Sequence, residues 1–256
     1  MRILALGDIV GSATVDYLAA SLWKLRNREQ IDFVVANGEN TSEIRGLSAA
    51  DAKALLGTGI DLITLGNHGF GKRDLYPLLD SEDNIIRPAN YPASAPGMGY
   101  TVLRVGGVRI LAMNVCGCVY MDPLASPFET VNRILARTAG EYDLSLLDIH
   151  AEATSEKLAL ARYLDGRVNV IFGTHTHVPT ADEQILPRGS AYVTDLGMCG
   201  PVGGILGTDA TAVIDRFTTM MPTRFSVASG PIQAMGVIFD VDPSSHTVRS
   251  VERVKF

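Results

Sequence analysis

Cysteine is scarce in this chain. Cys116, Cys118 and Cys199 are the only three in 256 residues, an odd and small set that argues against an extracellular disulfide framework. Tryptophan occurs once, and no segment approaches the roughly 18 uninterrupted apolar residues that a membrane span needs. The opening MRILALGDIVG has too short an apolar run, and no cleavage-site pattern, to read as a signal peptide. The expected location is therefore the cytoplasm, with no membrane partner. A basic excess is missing too: 22 Lys and Arg stand against 28 Asp and Glu, for a net charge of -6. A polyanion-binding surface would have to be assembled locally against that field, which speaks against long nucleic acid as a partner. Internal repeats, low-complexity tracts and linkers are likewise absent. With 46% hydrophobic and 20% charged residues the composition is that of a folded protein, and residues 1–256 are expected to form one domain.

What is present is a recurring local pattern. A β-branched or Leu-rich run is followed by a polar turn and then by apolar residues at helical spacing, which is the βαβ signature. Ile3 to Leu6 predicts the first strand, and Val15, Leu18, Leu22 and Leu25 mark a helix over Ala13 to Asn27. Phe33 to Ala36 and Leu62 to Leu65 predict further strands. Between them Ser48 caps a helix, with Asp51 three residues on, ended by Gly57 or Gly59. A short helix around Leu75 to Leu79 precedes Ile85 and Ile86. Tyr100 to Val105 and Val108 to Val115 flank Gly106-Gly107, a hairpin connection that brings in antiparallel pairing. Helices are expected over Phe128 to Ala139, Thr154 to Leu164 and Ala210 to Met220. The remaining strands are expected at Leu144 to Ile149, Val168 to Phe172, Ala191 to Thr194, Met235 to Val241 and Thr247 to Val254. The mixture predicts an α/β protein with two sheets and helices outside.

Five of the strand-like runs break into residue types that bind metals: Gly7-Asp8, Gly38-Glu39-Asn40, Gly66-Asn67-His68, Asp148-Ile149-His150 and Gly173-Thr174-His175-Thr176-His177. Carboxyl ends of strands in open α/β sheets open onto the ligand crevice, so five such ends should converge. Three histidines, two carboxylates and two carboxamides exceed what one tetrahedral zinc takes and suit two ions sharing a carboxylate, with Glu39 the natural bridge. The nitrogen and oxygen donors favour borderline ions such as Mn, Fe, Co or Zn over Ca or Mg, and ligand type does not choose among them; Fe or Mn is the first expectation, with Zn or Co next. Two bland readings remain open at this level: Asp8 could cap the helix near Ala13, and Asn40 could be a turn residue.

The ordered set Gly-Asp, Gly-Glu-Asn, Gly-Asn-His, His, Gly-Thr-His-Thr-His resembles the calcineurin-like metallophosphoesterases over essentially the whole length, and specifically their YmdB-like branch. Val10 stands where many members of the superfamily carry a metal-binding His, and Glu39-Asn40 replaces the more usual Gly-Asp. Both departures are shared with that branch. The resemblance implies a four-layer αββα sandwich of the metallo-dependent phosphatase type with mixed sheets. It implies Asp8, Glu39, Asn40 and His177 around one divalent or trivalent transition-metal ion, and Glu39, Asn67, His150 and His175 around the other. It further implies hydrolysis of small phosphodiesters, 2′,3′-cyclic nucleotides above all, by a metal-bridged hydroxide. His68, next to a ligand in sequence yet free itself, fits the general acid that protonates the leaving alkoxide; the alternative is that it only orients a ligand. The rival activities are a phosphomonoesterase or nucleotidase on the same centre, and a regulatory protein that binds nucleotide through the metals. Members of such branches are often oligomeric, which leaves a homo-oligomer open.

Other features carry less. Cys116-Gly117-Cys118 lacks the Cys-x-x-Cys spacing and reads as small apolar residues at a strand end. Gly7 to Gly11 has neither a phosphate-loop Lys nor the dinucleotide glycine spacing. The glycine-rich Gly197 to Gly207 is expected to be a flexible loop shaping substrate access, rather than a plain surface turn. No Arg or Lys stands in a diagnostic phosphate-binding motif, and His246 reads as a solvated turn residue.

Overall fold

The structure, a computed structural model, describes residues 1–256. In chain order the first half runs β1 (Arg2–Leu6), β2 (Asp8–Ile9), α1 (Ser12–Glu29), β3 (Phe33–Asn37), α2 (Ala49–Gly57), β4 (Leu62–Thr64), a 3-10 turn (Arg73–Leu75), α3 (Tyr76–Ser81), β5 (Ile85–Ile86), β6 (Tyr100–Val105) and β7 (Val108–Cys116). The second half runs α4 (Pro127–Arg137), β8 (Leu144–His150), α5 (Thr154–Leu164), β9 (Val170–Thr174), β10 (Gln184–Ile185), β11 (Ala191–Val193), β12 (Met198–Pro201), α6 (Ala210–Thr219), β13 (Ile232–Gln233), β14 (Met235–Val241) and β15 (Val248–Lys255).

Two six-stranded mixed sheets form, ordered β15-β14-β1-β3-β4-β5 and β10-β11-β9-β8-β7-β6. Alternation along each strand sorts the side chains into three cores. Leu4, Leu6, Val34 and Ala36 face α1 and α2, packing on Leu18, Leu22 and Leu55. Their neighbours Ile3, Ala5, Phe33 and Val35 face the second sheet, against Ala112, Leu146, Val170 and Phe172. Leu111, Leu147, Ile149 and Ile171, on the far side of that sheet, pack under Val131 of α4 and Leu160 and Leu164 of α5. The layers are therefore helix, sheet, sheet, helix, the expected αββα sandwich. Strands buried on both faces read as unbroken apolar runs because neither face meets water.

The hairpin forms where Gly106-Gly107 predicts it. Val105 pairs with Val108, and both glycines have positive φ, 55° and 88°, the conformation such a two-residue connection demands. Ser48 caps α2 by accepting from the Asp51 amide at 3.1 Å. The Gly197 to Gly207 segment departs from its reading as a flexible loop. Its first part is a buried strand: β12 pairs in parallel with β2, Met198 beside Asp8, and antiparallel with β13. These two-residue partners are too short to leave a periodic signal, and the glycines are there for close packing. A methyl on Gly200 would press on Val10. The expected strand at Val168 starts at Val170, because the Arg167 and Val168 amides are spent closing the turn after α5 onto Leu164 O.

Candidate metal centre

Every expected ligand sits at or just past the carboxyl end of a strand. Asp8 opens β2, Glu39 and Asn40 follow β3, Asn67 and His68 follow β4, His150 closes β8, and His175 and His177 follow β9. β1, β3, β4 and β5 are mutually parallel, as are β7, β8, β9 and β11. One edge of the sandwich thus collects both sets of strand ends.

The tightest grouping surrounds His150 Nε2. Glu39 Oε1 lies 2.9 Å from it, Asn67 Oδ1 3.0 Å and His175 Nδ1 3.0 Å. One ring nitrogen offers one proton or one lone pair, so it can satisfy at most one of three such neighbours. A cation is the partner that a convergent set of lone pairs lacks. The second grouping lies beside Asp8. Its Oδ1 is fully buried without any hydrogen-bond partner, 3.8 Å from His177 Nε2. The Asn40 amide is 3.2 Å from the same His177 nitrogen and 3.5 Å from Glu39 Oε1, so Glu39 faces both groups. An orphaned carboxylate oxygen at zero exposure is costly, and a bound cation would relieve it. The residues present therefore fit a metal centre, and the ligand atoms of Glu39, His150 and His175 all lie within 4.8 Å of one another.

The electrostatics have the same cause. Burial opposes charge on Glu39, but His150 and His68 hold its carboxyl well below the usual range. Burial also opposes a proton on His150, yet Glu39 and Asp8 overcome it and push the imidazole up. Without metal, then, positive charge collects on His150. Burial raises Asp8, and His177 and His150 only partly offset it. Burial, then the neighbouring His150, brings His175 down to about 3, which keeps its ring neutral and its lone pair available.

A polar relay buried between the sheets aims His150. Its Nδ1 is 2.9 Å from Thr174 Oγ1, which donates at 2.8 Å to Asp148 Oδ1. The hydroxyl, having given its proton away, accepts from Nδ1–H, which leaves Nε2 for the cleft. Asp148 Oδ2 accepts from Thr64 Oγ1 at 2.5 Å and from Asn37 Nδ2 at 3.3 Å. His175 Nε2 meets Glu152 Oε2 at 3.0 Å. Sequence reasoning missed Asp148, Thr174, Thr64, Asn37 and Glu152 as supports. A usable signal existed in β8, where Asp148 and His150 are two apart, hence on one face of an otherwise apolar strand.

His68 joins these groups through its backbone, whose N–H donates to Glu39 Oε2 at 2.9 Å. Together with Glu39, Asn40, His175 and His177 it lines a cleft of about 220 Å³. Burial lowers its imidazole, with Glu39 pulling the other way. The helix-cap reading of Asp8 fails, since Gly11 occupies the cap of α1 and no side chain caps it. Asn40 is bridged to Val10 and takes the Gly11 N–H on its carbonyl at 3.1 Å. His246 is exposed in the turn between β14 and β15.

Residues 4–254 match the model of the YmdB-like protein family. The chain belongs to that family. Among its relatives is the 2′,3′-cyclic-nucleotide 2′-phosphodiesterase of Bacillus subtilis, 42% identical over 254 residues that cover 99% of this chain and 96% of the relative. The family fold recurs in the crystal structure of a hypothetical protein of Thermus thermophilus, with a TM-score of 0.94, 38% identity and coverage of 100% and 99% of the two chains. A 5′-nucleotidase precursor of Thermus thermophilus superposes with a TM-score of 0.61 at 13% identity, covering 100% of this chain and 54% of its own. That likeness shows a shared fold alone.

Proposed function

We propose that this chain is a dinuclear metal-dependent phosphodiesterase acting on small cyclic nucleotides, with the 2′,3′-cyclic class first. The observation that carries the reading is the pair of donor groups: three ligand atoms crowded on His150 Nε2, and beside them the unpartnered Asp8 Oδ1. Asp8, Glu39, Asn40 and His177 would hold one ion, and Glu39, Asn67, His150 and His175 the other. The all nitrogen and oxygen donor set supports a borderline transition metal, and within that class the reading takes Fe or Mn first and Zn or Co next. When bound, such ions supply an acidified water and neutralise charge on the phosphoryl oxygens. The B. subtilis relative's activity supports the substrate class.

In the reaction a water oxygen bonds to phosphorus, the phosphorus to 2′-oxygen bond breaks, and that oxygen must take a proton. His68 is the group taken to deliver it; its position on the cleft wall, its backbone hydrogen bond to Glu39 and its absence from the proposed ligand set support that role. An anionic phosphodiester arriving beside it offsets the burial that lowers its pKa and draws the proton on. The same reading takes residues 1–256 as one domain, supported by the pairing of the C-terminal β14 with β1. It places the protein in the cytoplasm, supported by three unpaired cysteines; no helix is long and apolar enough to cross a membrane. The test is metal analysis of the purified protein, followed by turnover of 2′,3′-cyclic nucleotides, bis-aryl and mono-aryl phosphates. Two equivalents of metal with diester hydrolysis ahead of monoester is the expected result. A metal-loaded protein inert to every diester would defeat the proposal.

A further inference from the structure

The metal cleft, at about 220 Å³, falls below the roughly 300–1,000 Å³ usual for small-molecule sites. A phosphoryl group and part of a ribose fill it, and the rest of a nucleotide needs another place. One adjoins it directly. A cavity of about 850 Å³ lies against the cleft, and the two share Ile44, Arg45 and Phe225 as a common wall. Its lining, unlike that of the cleft, also includes Arg224 and Ser12, the latter the first residue of α1.

The chemistry of this second cavity is unlike that of the first. Apart from the shared wall of Ile44, Arg45 and Phe225, the polar side chains of the cleft are the Glu39 carboxylate, the Asn40 amide, three imidazoles and the Thr208 hydroxyl, a set suited to cations. The cavity presents two guanidiniums, Arg45 and Arg224, neither of which is engaged by a carboxylate. Its single acid, Glu43, points outward at 85% side-chain exposure and is 3.6 Å from Lys72. The α1 end adds to this: it has no capping side chain and no acid in its first turn, so its amide dipoles leave the local field positive. In a protein of net charge -6, two free arginines at one concavity next to a phosphodiester site mark a place for an anion. Phe225, 37% exposed, offers a flat apolar face between the two arginines' cavity and the cleft, of the kind on which a base stacks.

We propose that this cavity is a second phosphate subsite, and that the preferred substrates are 2′,3′-cyclic nucleotides bearing a phosphate on the 5′-oxygen. Resting on the function proposed above, it narrows the substrate to a class. The cyclic phosphate occupies the metal cleft, the base lies on Phe225 beside Ile44, and Arg224 and Arg45 take the 5′-phosphate. A 5′-monoester and the 5′-diester of a short oligonucleotide end share that chemistry.

The experiment has a binding arm and a turnover arm on the manganese-loaded chain. In the first, calorimetry compares adenosine 3′,5′-bisphosphate with adenosine 3′-phosphate. The bisphosphate should bind about tenfold more tightly to the wild type, and the advantage should shrink to near unity in Arg224→Ala, recover partly in Arg224→Lys and weaken in 0.5 M salt, an order-of-magnitude screening condition. In the second arm, kcat/KM is compared for adenosine 2′,3′-cyclic phosphate, its 5′-phosphorylated form and the dinucleotide ending in the same cyclic phosphate. A preference for the 5′-phosphorylated form alone assigns the subsite to a monoester, and one shared by the dinucleotide assigns it to the phosphate in either linkage. Equal affinity of the two adenosine phosphates, or a preference untouched by Arg224→Ala, overturns the subsite even if cyclic nucleotides are hydrolysed. An Arg224-dependent binding preference with no hydrolysis upholds the subsite and sinks the phosphodiesterase reading instead. Arg224 is an exposed surface residue, so its variants report binding rather than misfolding.

Discussion

At the scale of single residues, substitutions at three positions test the proposed ligand, the proposed acid and a space-keeping glycine. His68→Ala should lower kcat on a 2′,3′-cyclic nucleotide by roughly 10²-fold or more while bound metal per chain stays at the wild-type value. Loss of metal in that variant would make His68 a support for the centre rather than its acid. Asp8→Asn works in the opposite sense. The wild-type carboxylate is buried with one oxygen unpartnered and its pKa is raised by burial, so removing the charge should leave the metal-free protein as stable or more so. Metal added to this variant should still raise the melting temperature, but by less than in the wild type, because the proposed set of Glu39, Asn67, His150 and His175 does not use Asp8. Gly66 keeps space: a methyl there would overlap the His150 imidazole and the Glu39 carboxylate. Gly66→Ala should therefore cost about 1–3 kcal/mol and release metal, read by denaturant unfolding and metal analysis. Unchanged metal content in Gly66→Ala would mean that the ligands can separate without loss, against their convergence on shared ions.

At the scale of elements, the segment after β9 shows how a strand end is bent to present two histidines, both among the proposed ligands. His175 and His177 both have positive φ, 98° and 63°, unusual for residues with a side chain and costing on the order of 1–3 kcal/mol each. A buried ion pair holds them there. Lys157 of α5 and Asp195 are 2.7 Å apart, both essentially without exposure. Lys157 Nζ also donates to Thr174 O at 2.7 Å, while Asp195 Oδ2 accepts from the Thr176 amide at 3.2 Å and hydroxyl at 2.8 Å. Lys157→Met leaves Asp195 charged in the interior without its counter-charge, so stability should fall by about 3–5 kcal/mol. The double change Lys157→Met with Asp195→Asn should recover part of it in urea unfolding. If the single change were as harmless as the double, the pair would have no part in holding the segment. Reading elements from the chain works well where burial is two-sided or the turn is explicit: α5 and β14 are found at their expected bounds, and the 106–107 hairpin where its glycines stand. It fails at β2, β12 and β13, whose two to four residues carry no period and exist only because they pair with one another.

At the scale of the whole molecule, the proposed metal binding would be one equilibrium with folding. Asp8, Glu39 and Asn67 come from one sheet's strand ends and His150, His175 and His177 from the other's, so ions held between them would tie the two sheets. Metal at a hundredfold excess over its dissociation constant stabilises by about 2.7 kcal/mol, which for a chain of this size is roughly 5 to 10 °C in melting temperature. Stripping with a chelator should lower the wild-type transition by that amount and that of Asp8→Asn by less, by scanning calorimetry. An unmoved wild-type transition would count against ions bridging the sheets.

The linear chain settles a good deal. Two-sided burial writes itself as apolar runs, and the polar breaks at their ends single out Asp8, Glu39, Asn40, Asn67, His68, His150, His175 and His177 from residue type and spacing alone. Their meeting point, the orphaned oxygen of Asp8, the relay through Thr174 and Asp148, and the positive cavity of Arg45 and Arg224 are decided only by the fold. The reason is physical: residue type and period depend on neighbours within a turn or a strand, whereas lone pairs converge, charges go unpaired and cavities open through contacts between residues more than a hundred positions apart.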